Sequence, residues 1–123
     1  MYLRALALAL VLFALPLAGE AQPVRPIARI GVLGNSPSPP WEAFRRGLRD
    51  LGYMEGQNIT IEWRWTEGRV ERAPELARDL VRLKVDVIVA SAPPATRAAQ
   101  QATTTIPIVF TAVSDPIDSG FVR

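Results

Sequence analysis

The chain has 123 residues, 14 basic and 12 acidic, giving a formal net charge of +2, and it contains neither histidine nor cysteine. Without cysteine there is no disulfide, no thiol nucleophile and no lipid attached through an N-terminal sulfur. Without histidine the commonest general base and the commonest transition-metal ligand are also missing. The positive charges are spread along the chain, and Arg45, Arg46 and Arg49 fall on the polar side of a predicted helix, so no nucleic-acid partner is assigned.

The first segment is a leader. Arg4 precedes an apolar run from Ala5 to Leu15, followed by Pro16 and small residues that end at Gly19-Glu20-Ala21. A basic start, an apolar middle and a small-residue end are the parts of a secretory signal peptide, with cleavage expected after Ala21. The run is too short for a spanning helix, which needs roughly 20 apolar residues. Residues 1–21 are therefore expected to be removed, and residues 22–123 to form one exported domain, periplasmic or extracellular, held together by its core alone.

Beyond Pro23 and Pro26, Ala28–Leu33 is a continuous apolar run that stops at Gly34-Asn35-Ser36-Pro37, the pattern of a buried strand entering a turn. Ser38 is placed as a helix cap, with Pro39 and Pro40 in the first turn and Trp41, Phe44, Leu48 and Leu51 as the apolar stripe, closed by Gly52. In 59–65, Ile59, Ile61, Trp63 and Trp65 alternate with polar residues, which predicts an edge strand with one wet side. A second helix is expected over about Arg72–Leu83, its stripe made of Ala73, Leu76, Ala77, Leu80 and Leu83. Val85–Ala90 reads as a central strand ending at Ser91-Ala92-Pro93-Pro94, where a third helix begins with Ala95, Ala98, Ala99 and Ala102 on one side. Ile108–Ala112 is a fourth strand, ending at Val113-Ser114-Asp115-Pro116.

Strands and helices in strict alternation predict an α/β fold with an open, mainly parallel sheet. The alternating strand suits an edge and the continuous ones the middle, giving the order 2-1-3-4. Direction reverses between strands 1 and 3, and sheets of this kind bind ligands at such a point, outside the carboxyl ends of the strands. Three loops are expected to converge there, which makes Asn35, Ser36, Ser91, Ala92, Pro93, Val113, Ser114 and Asp115 the candidate ligand-binding residues. Two of these loops enter helix N-termini whose free N–H groups suit an anion, and Asp115 suits an ammonium or hydroxyl. For each residue taken singly the competing reading is structural: Ser36, Ser38 and Ser91 as helix caps, and Asp115 as a turn former. The three tryptophans are read as core packing rather than as ligand contacts.

No catalytic or metal-ligating constellation stands out, and no cofactor is assigned. Gly31-Val-Leu-Gly34 lacks the spacing of a dinucleotide fingerprint, and neither a P-loop nor a nucleophile elbow occurs. A phospho-receiver domain needs acidic residues at the ends of strands 1 and 3, where this chain has Gly34-Asn35 and Ala90-Ser91.

Arg29-Ile-Gly-Val-Leu-Gly34, Phe44-Arg-Arg-Gly-Leu-Arg-Asp-Leu-Gly-Tyr53, Glu55-Gly-Gln-Asn-Ile59, Trp63 to Arg69, Leu80 to Val89 and Thr105-Ile-Pro-Ile-Val-Phe110 together give a resemblance over residues 28–123. The chain resembles the substrate-binding proteins of ABC transporters, in particular those of the tryptophan/tyrosine type. The resemblance implies a type I periplasmic binding protein fold, two lobes closing on a small solute, here with only the first lobe and that incomplete. It also implies a membrane permease and its ATPase as partners of a full-length protein, and an amino acid as a possible solute. The alternatives are an exported α/β enzyme domain using carboxylates such as Asp115 and Glu67, and a sensory or adhesion module on the same fold.

If strand 4 ends the sheet, Ile108–Ala112 is an apolar edge open to pairing with other chains. Residues 22–123 alone are then expected to be marginally stable or aggregation-prone and to bind solute weakly. Thermal denaturation followed by light scattering checks this, and a sharp cooperative melt of a monomer at high concentration contradicts it.

Overall fold

The computed structural model describes residues 27–122, so the leader read at 1–21 lies outside the described residues. The elements in chain order are β1 (Ala28–Gly34), α1 (Pro39–Asp50), β2 (Ile59–Trp65), a 3-10 turn (Val70–Arg72), α2 (Ala73–Arg82), β3 (Val87–Ser91), α3 (Pro93–Ala102) and β4 (Ile108–Thr111). The four strands form one sheet in the order β2-β1-β3-β4, parallel at each pairing. The expected fold class, order and parallel pairing are all observed. The edge position of the alternating strand is observed as well.

Strand periodicity sends alternate residues of the sheet to opposite layers. On one face Leu33, Ile88 and Ala90 meet the buried stripe of α2 (Ala73, Leu76, Ala77 and Leu80) and the alanines of α3 (Ala95, Ala98 and Ala99). Small residues on α3 let it lie close to both the sheet and α2. On the other face Ile30, Val32, Ile59, Ile61 and Val89 are covered by Trp41, Phe44 and Leu48 of α1. Towards β4 that second face is open, and Val109 is 52% exposed.

Gly31 shows how tightly the first layer is packed. A Cβ placed there would lie 3.0 Å from a Leu80 methyl and 3.2 Å from Val85. Leu80 is itself fully buried, so β1 and α2 approach because this position has no side chain.

Three sequence expectations shift in detail. Leu51, assigned to the α1 stripe, is 76% exposed because it is the C-cap residue, where the chain leaves the helix and the stripe loses its register. The third strand begins at Val87 rather than Val85. Val85 is buried beneath α2, and Asp86 leaves the ladder to bond Arg29, its N–H donating to the Arg29 carbonyl (2.7 Å) and its carboxylate accepting from the Arg29 N–H (2.7 Å). Ser38 does occupy the N-cap of α1 with extended backbone, yet its side chain makes no capping bond. Pro39 and Pro40 have no N–H to offer it, and the Trp41 N–H donates to the Ser38 carbonyl instead (3.0 Å).

The tryptophans pack on one another, as core-type aromatics do. Trp41 meets Trp63 and Trp65 edge-on at 5.8 Å, Trp63 and Trp65 stack at 5.4 Å, and the Arg45 guanidinium lies 4.5 Å from the Trp63 ring centre. Arg45 also pairs with Glu42 and Glu55, so this arginine is tied into the α1–β2 layer.

Truncating Leu80 to alanine opens a cavity at the contact of β1, α2 and Val85. Leu80→Ala is expected to lower unfolding free energy by about 2–5 kcal/mol, read as a lower urea midpoint at unchanged slope.

Candidate functional site

The reversal of chain direction lies between β1 and β3. From β1 the chain passes through α1 to β2 on one side, and then through α2 to β3 on the other. The loops leaving the carboxyl ends of β1 and β3 therefore diverge, and a cleft of about 280 Å³ opens between them. Its wall is formed by Gly34, Asn35, Thr66, Gly68, Val70, Ser91, Ala92, Pro94 and Ala95.

Of the candidate residues, Asn35, Ser91 and Ala92 line this cleft, and Pro93 lies in the same turn as Ala92 and Pro94. Ser36 follows Asn35 in the chain and is half-buried, but it does not line the cavity. Val113, Ser114 and Asp115 do not reach the wall either. They follow β4, one strand beyond the reversal point, and the chain there turns through Ala112 (φ 57°) and folds back over α3 and β4. Phe121 packs against Phe110 with ring centres 6.1 Å apart, and the Gln100 side chain donates to the Phe121 carbonyl (3.1 Å). The Asp115 carboxylate accepts the Asp118 N–H (3.0 Å), the structural role of a turn former.

The segment that sequence reasoning missed is the loop after β2, which supplies Thr66, Gly68 and Val70. It is drawn to the cleft by Asn35. The Thr66 N–H donates to the Gly34 carbonyl (2.9 Å) and the Glu67 N–H to the Asn35 carbonyl (2.8 Å), extending the β1–β2 ladder past both strand ends. The Asn35 Oδ1 then accepts from the Gly68 N–H at 2.6 Å and from the Thr66 hydroxyl at 3.4 Å. With Oδ1 so engaged, the Nδ2 amide is what this side chain has left to donate to a ligand. Residues 67 and 68 have positive φ, 54° and 79°, so the loop reverses within two residues. The sequence signal is Glu67-Gly68 just beyond the end of β2, a turn pair whose partner loop only the topology identifies.

The third helix contributes less hydrogen bonding than its N-terminus implies. Pro93 and Pro94 carry no N–H, and the Thr96 N–H is taken by the Ala92 carbonyl (3.1 Å). Ala95 therefore supplies the one unpaired main-chain donor of this turn among the described residues. Its N–H lies in the field of the helix dipole, which the prolines leave intact because their carbonyls remain aligned. At α1 the same Pro-Pro start removes two donors and the Trp41 N–H is spent on Ser38, so both helix ends offer fewer main-chain donors than expected. Ser91 is the last residue of β3 and Ala92 holds the cap position, so Ser91 is not the cap of α3.

Ala92 has φ 74° and ψ 160°, a region occupied almost only by glycine and costing alanine on the order of 1–3 kcal/mol. Its N–H donates to the Thr111 carbonyl (2.9 Å), and its carbonyl also accepts the Thr96 hydroxyl (2.9 Å). Among the described residues no ionisable side chain lines the cleft. What the wall presents is an amide, hydroxyls, one oriented N–H and apolar surface from Val70, Ala92, Pro94 and Ala95. Among the described residues no group of three or more acidic side chains has the spacing of a metal site.

Asn35 separates two roles that substitution can distinguish. Asn35→Ala removes the acceptor of the Gly68 N–H and is expected to cost about 1–2 kcal/mol and to speed amide hydrogen exchange at Gly68. Asn35→Asp keeps that acceptor and is expected to keep Gly68 protected while removing the Nδ2 donor from the cleft.

A model of the family described as ABC transporter substrate binding protein matches residues 34–123. A tyrosine-binding protein of Clostridioides difficile is 37% identical over 82 residues, which is 67% of this chain and 24% of that protein. Among solved structures, the ligand-free, open form of a substrate-binding protein with adhesive properties from Clostridium difficile superposes with a TM-score of 0.72 at 32% identity, covering 79% of this chain and 34% of that one. A streptococcal ABC domain in complex with L-Trp superposes with a TM-score of 0.65 at 29% identity, covering 77% of this chain and 33% of that one. The chain thus spans about a quarter of the curated relative and about a third of each solved chain. An α/β sheet that reverses direction between β1 and β3, a cleft at that point without ionisable groups, and these matches agree: the chain belongs to the ABC transporter substrate-binding protein family.

Proposed function

We propose that this chain supplies one wall of a solute-binding cleft in an ABC import system, and that the solute is an amino acid. The observation that carries the reading is the cleft between β1 and β3, where the paired loops after β1 and β2 face the loop after β3 and together present neutral donors beside apolar surface. A solute with a carboxylate and an apolar part suits that wall: Asn35 Nδ2, the Ser91 hydroxyl and the Ala95 N–H would take the carboxylate, and Val70, Ala92 and Pro94 the apolar part. Relatives named for tyrosine binding and for a tryptophan complex support an amino acid with a large side chain. Export through the leader at 1–21 fits capture outside the cytoplasm, with a permease and its ATPase as the receiving partners.

One wall cannot enclose a solute, and affinity in clamps of this kind comes from closure of two walls. Calorimetry and thermal shift should therefore use the full product of the gene, against the standard amino acids with L-tryptophan and L-tyrosine as first probes. Saturable binding is expected for at least one of them, with stabilisation of about 2.7 kcal/mol when the solute is present at 100 times its dissociation constant. Absence of heat and of thermal shift with every amino acid would refute the assignment of solute class.

A further inference from the structure

Ala92 is an alanine where the backbone calls for glycine, and it lies in the cleft wall directly before α3. Rotation of its flanking peptides to negative φ would relieve the residue, but it would break the bond from its N–H to Thr111 and turn its carbonyl away from α3. Three hydrogen bonds oppose that rotation. Two are main-chain bonds, Ala92 N–H to Thr111 and Thr96 N–H to Ala92, available to any sequence in this fold. The third is donated by the Thr96 hydroxyl, and Thr96 is fully buried. A threonine hydroxyl inside a helix commonly bonds the carbonyl four residues back. Here that carbonyl belongs to Ala92, among the described residues the one non-glycine residue of the cleft wall with positive φ.

We propose that Thr96 is a positioning residue of the binding site: without touching the solute, its buried hydroxyl holds Ala92 in a conformation alanine otherwise leaves, and so fixes the entry to α3. The consequence falls on Ala95, whose N–H is the main-chain donor left free after Pro93 and Pro94. Its place in the wall depends on the path the chain takes through Ala92. The proposal rests on the solute-binding reading above for its effect on affinity, and on the local geometry alone for its effect on Ala92.

The test uses the full gene product with Thr96→Val, which keeps the shape and removes the hydroxyl, and Thr96→Ser, which keeps the hydroxyl. Solution NMR of the solute-free protein reads Ala92 directly through its three-bond HN–Hα coupling and its carbon shifts. In T96V these are expected to move towards negative φ, and in T96S to match the parent. An unchanged Ala92 in a folded T96V protein overturns the proposal whether or not any solute binds. In calorimetry with L-tryptophan and L-tyrosine, T96V is expected to weaken binding by about 2- to 12-fold, the span of one hydrogen bond, and T96S to restore it. Placing T96V in an Ala92→Gly background is expected to shrink the loss, because glycine holds positive φ without help. A loss of equal size in both backgrounds would mean that Thr96 acts only through general stability, and the positioning role would fall. If the parent protein binds no amino acid, the function proposed above fails while the NMR result still decides this one.

Discussion

The structure depends on one strand being held from every side. β1 is hydrogen-bonded to β2 along its whole length and to β3 over Ile30–Leu33, and it is packed between helices above and below. Val32 and Leu33 are adjacent in sequence, point to opposite layers and are both fully buried. A strand so placed has to be continuously apolar, and it has to carry glycine where a layer comes too close. Gly31 does this for α2, and Gly34 does it for the aromatic layer, where a Cβ would sit 3.0 Å from Trp65 and 3.1 Å from Trp41. Because β1 lies between the first and third excursions of the chain, its carboxyl end is also where the loops part. The same constraint therefore fixes the core and opens the cleft.

Much of this was legible from residue pattern. Continuous runs at Ala28–Leu33 and Val85–Ala90 separated the inner strands from the alternating outer one at 59–65, which was enough to order the sheet. The stripes of α2 and α3 were readable because few other arrangements bury Leu76, Ala77 and Leu80 together. Leu51 misled because periodicity continues past the residue at which the backbone leaves the helix. In the site, Asn35, Ser91 and Ala92 followed from strand ends, whereas Thr66, Gly68 and Val70 did not. Their presence depends on bonds between two loops 31 to 33 residues apart, Thr66 and Gly68 to Asn35, and no local signal encodes them. The loop after β4 follows a strand end that looks equivalent in sequence, while in space Phe121 draws it over Phe110 and Gln100 and it does not line the cleft.

The two Pro-Pro starts show how a familiar structural motif can be altered by composition. A helix N-terminus ordinarily offers several N–H groups. Here α1 and α3 begin with residues that have none, so each helix keeps its dipole and loses most of its donors. The polar groups that this wall presents are thereby few and fixed in place.

Those groups share a chemical property. Asn35, Thr66, Ser91 and the Ala95 amide do not gain or lose protons anywhere in the range in which a protein stays folded, and among the described residues no carboxylate, amine or imidazole lines the cleft beside them. The electrostatic face that this wall turns to a solute is therefore constant from acid to alkaline surroundings. A wall built this way leaves a solute's own ionisation as the variable that its chemistry has to meet.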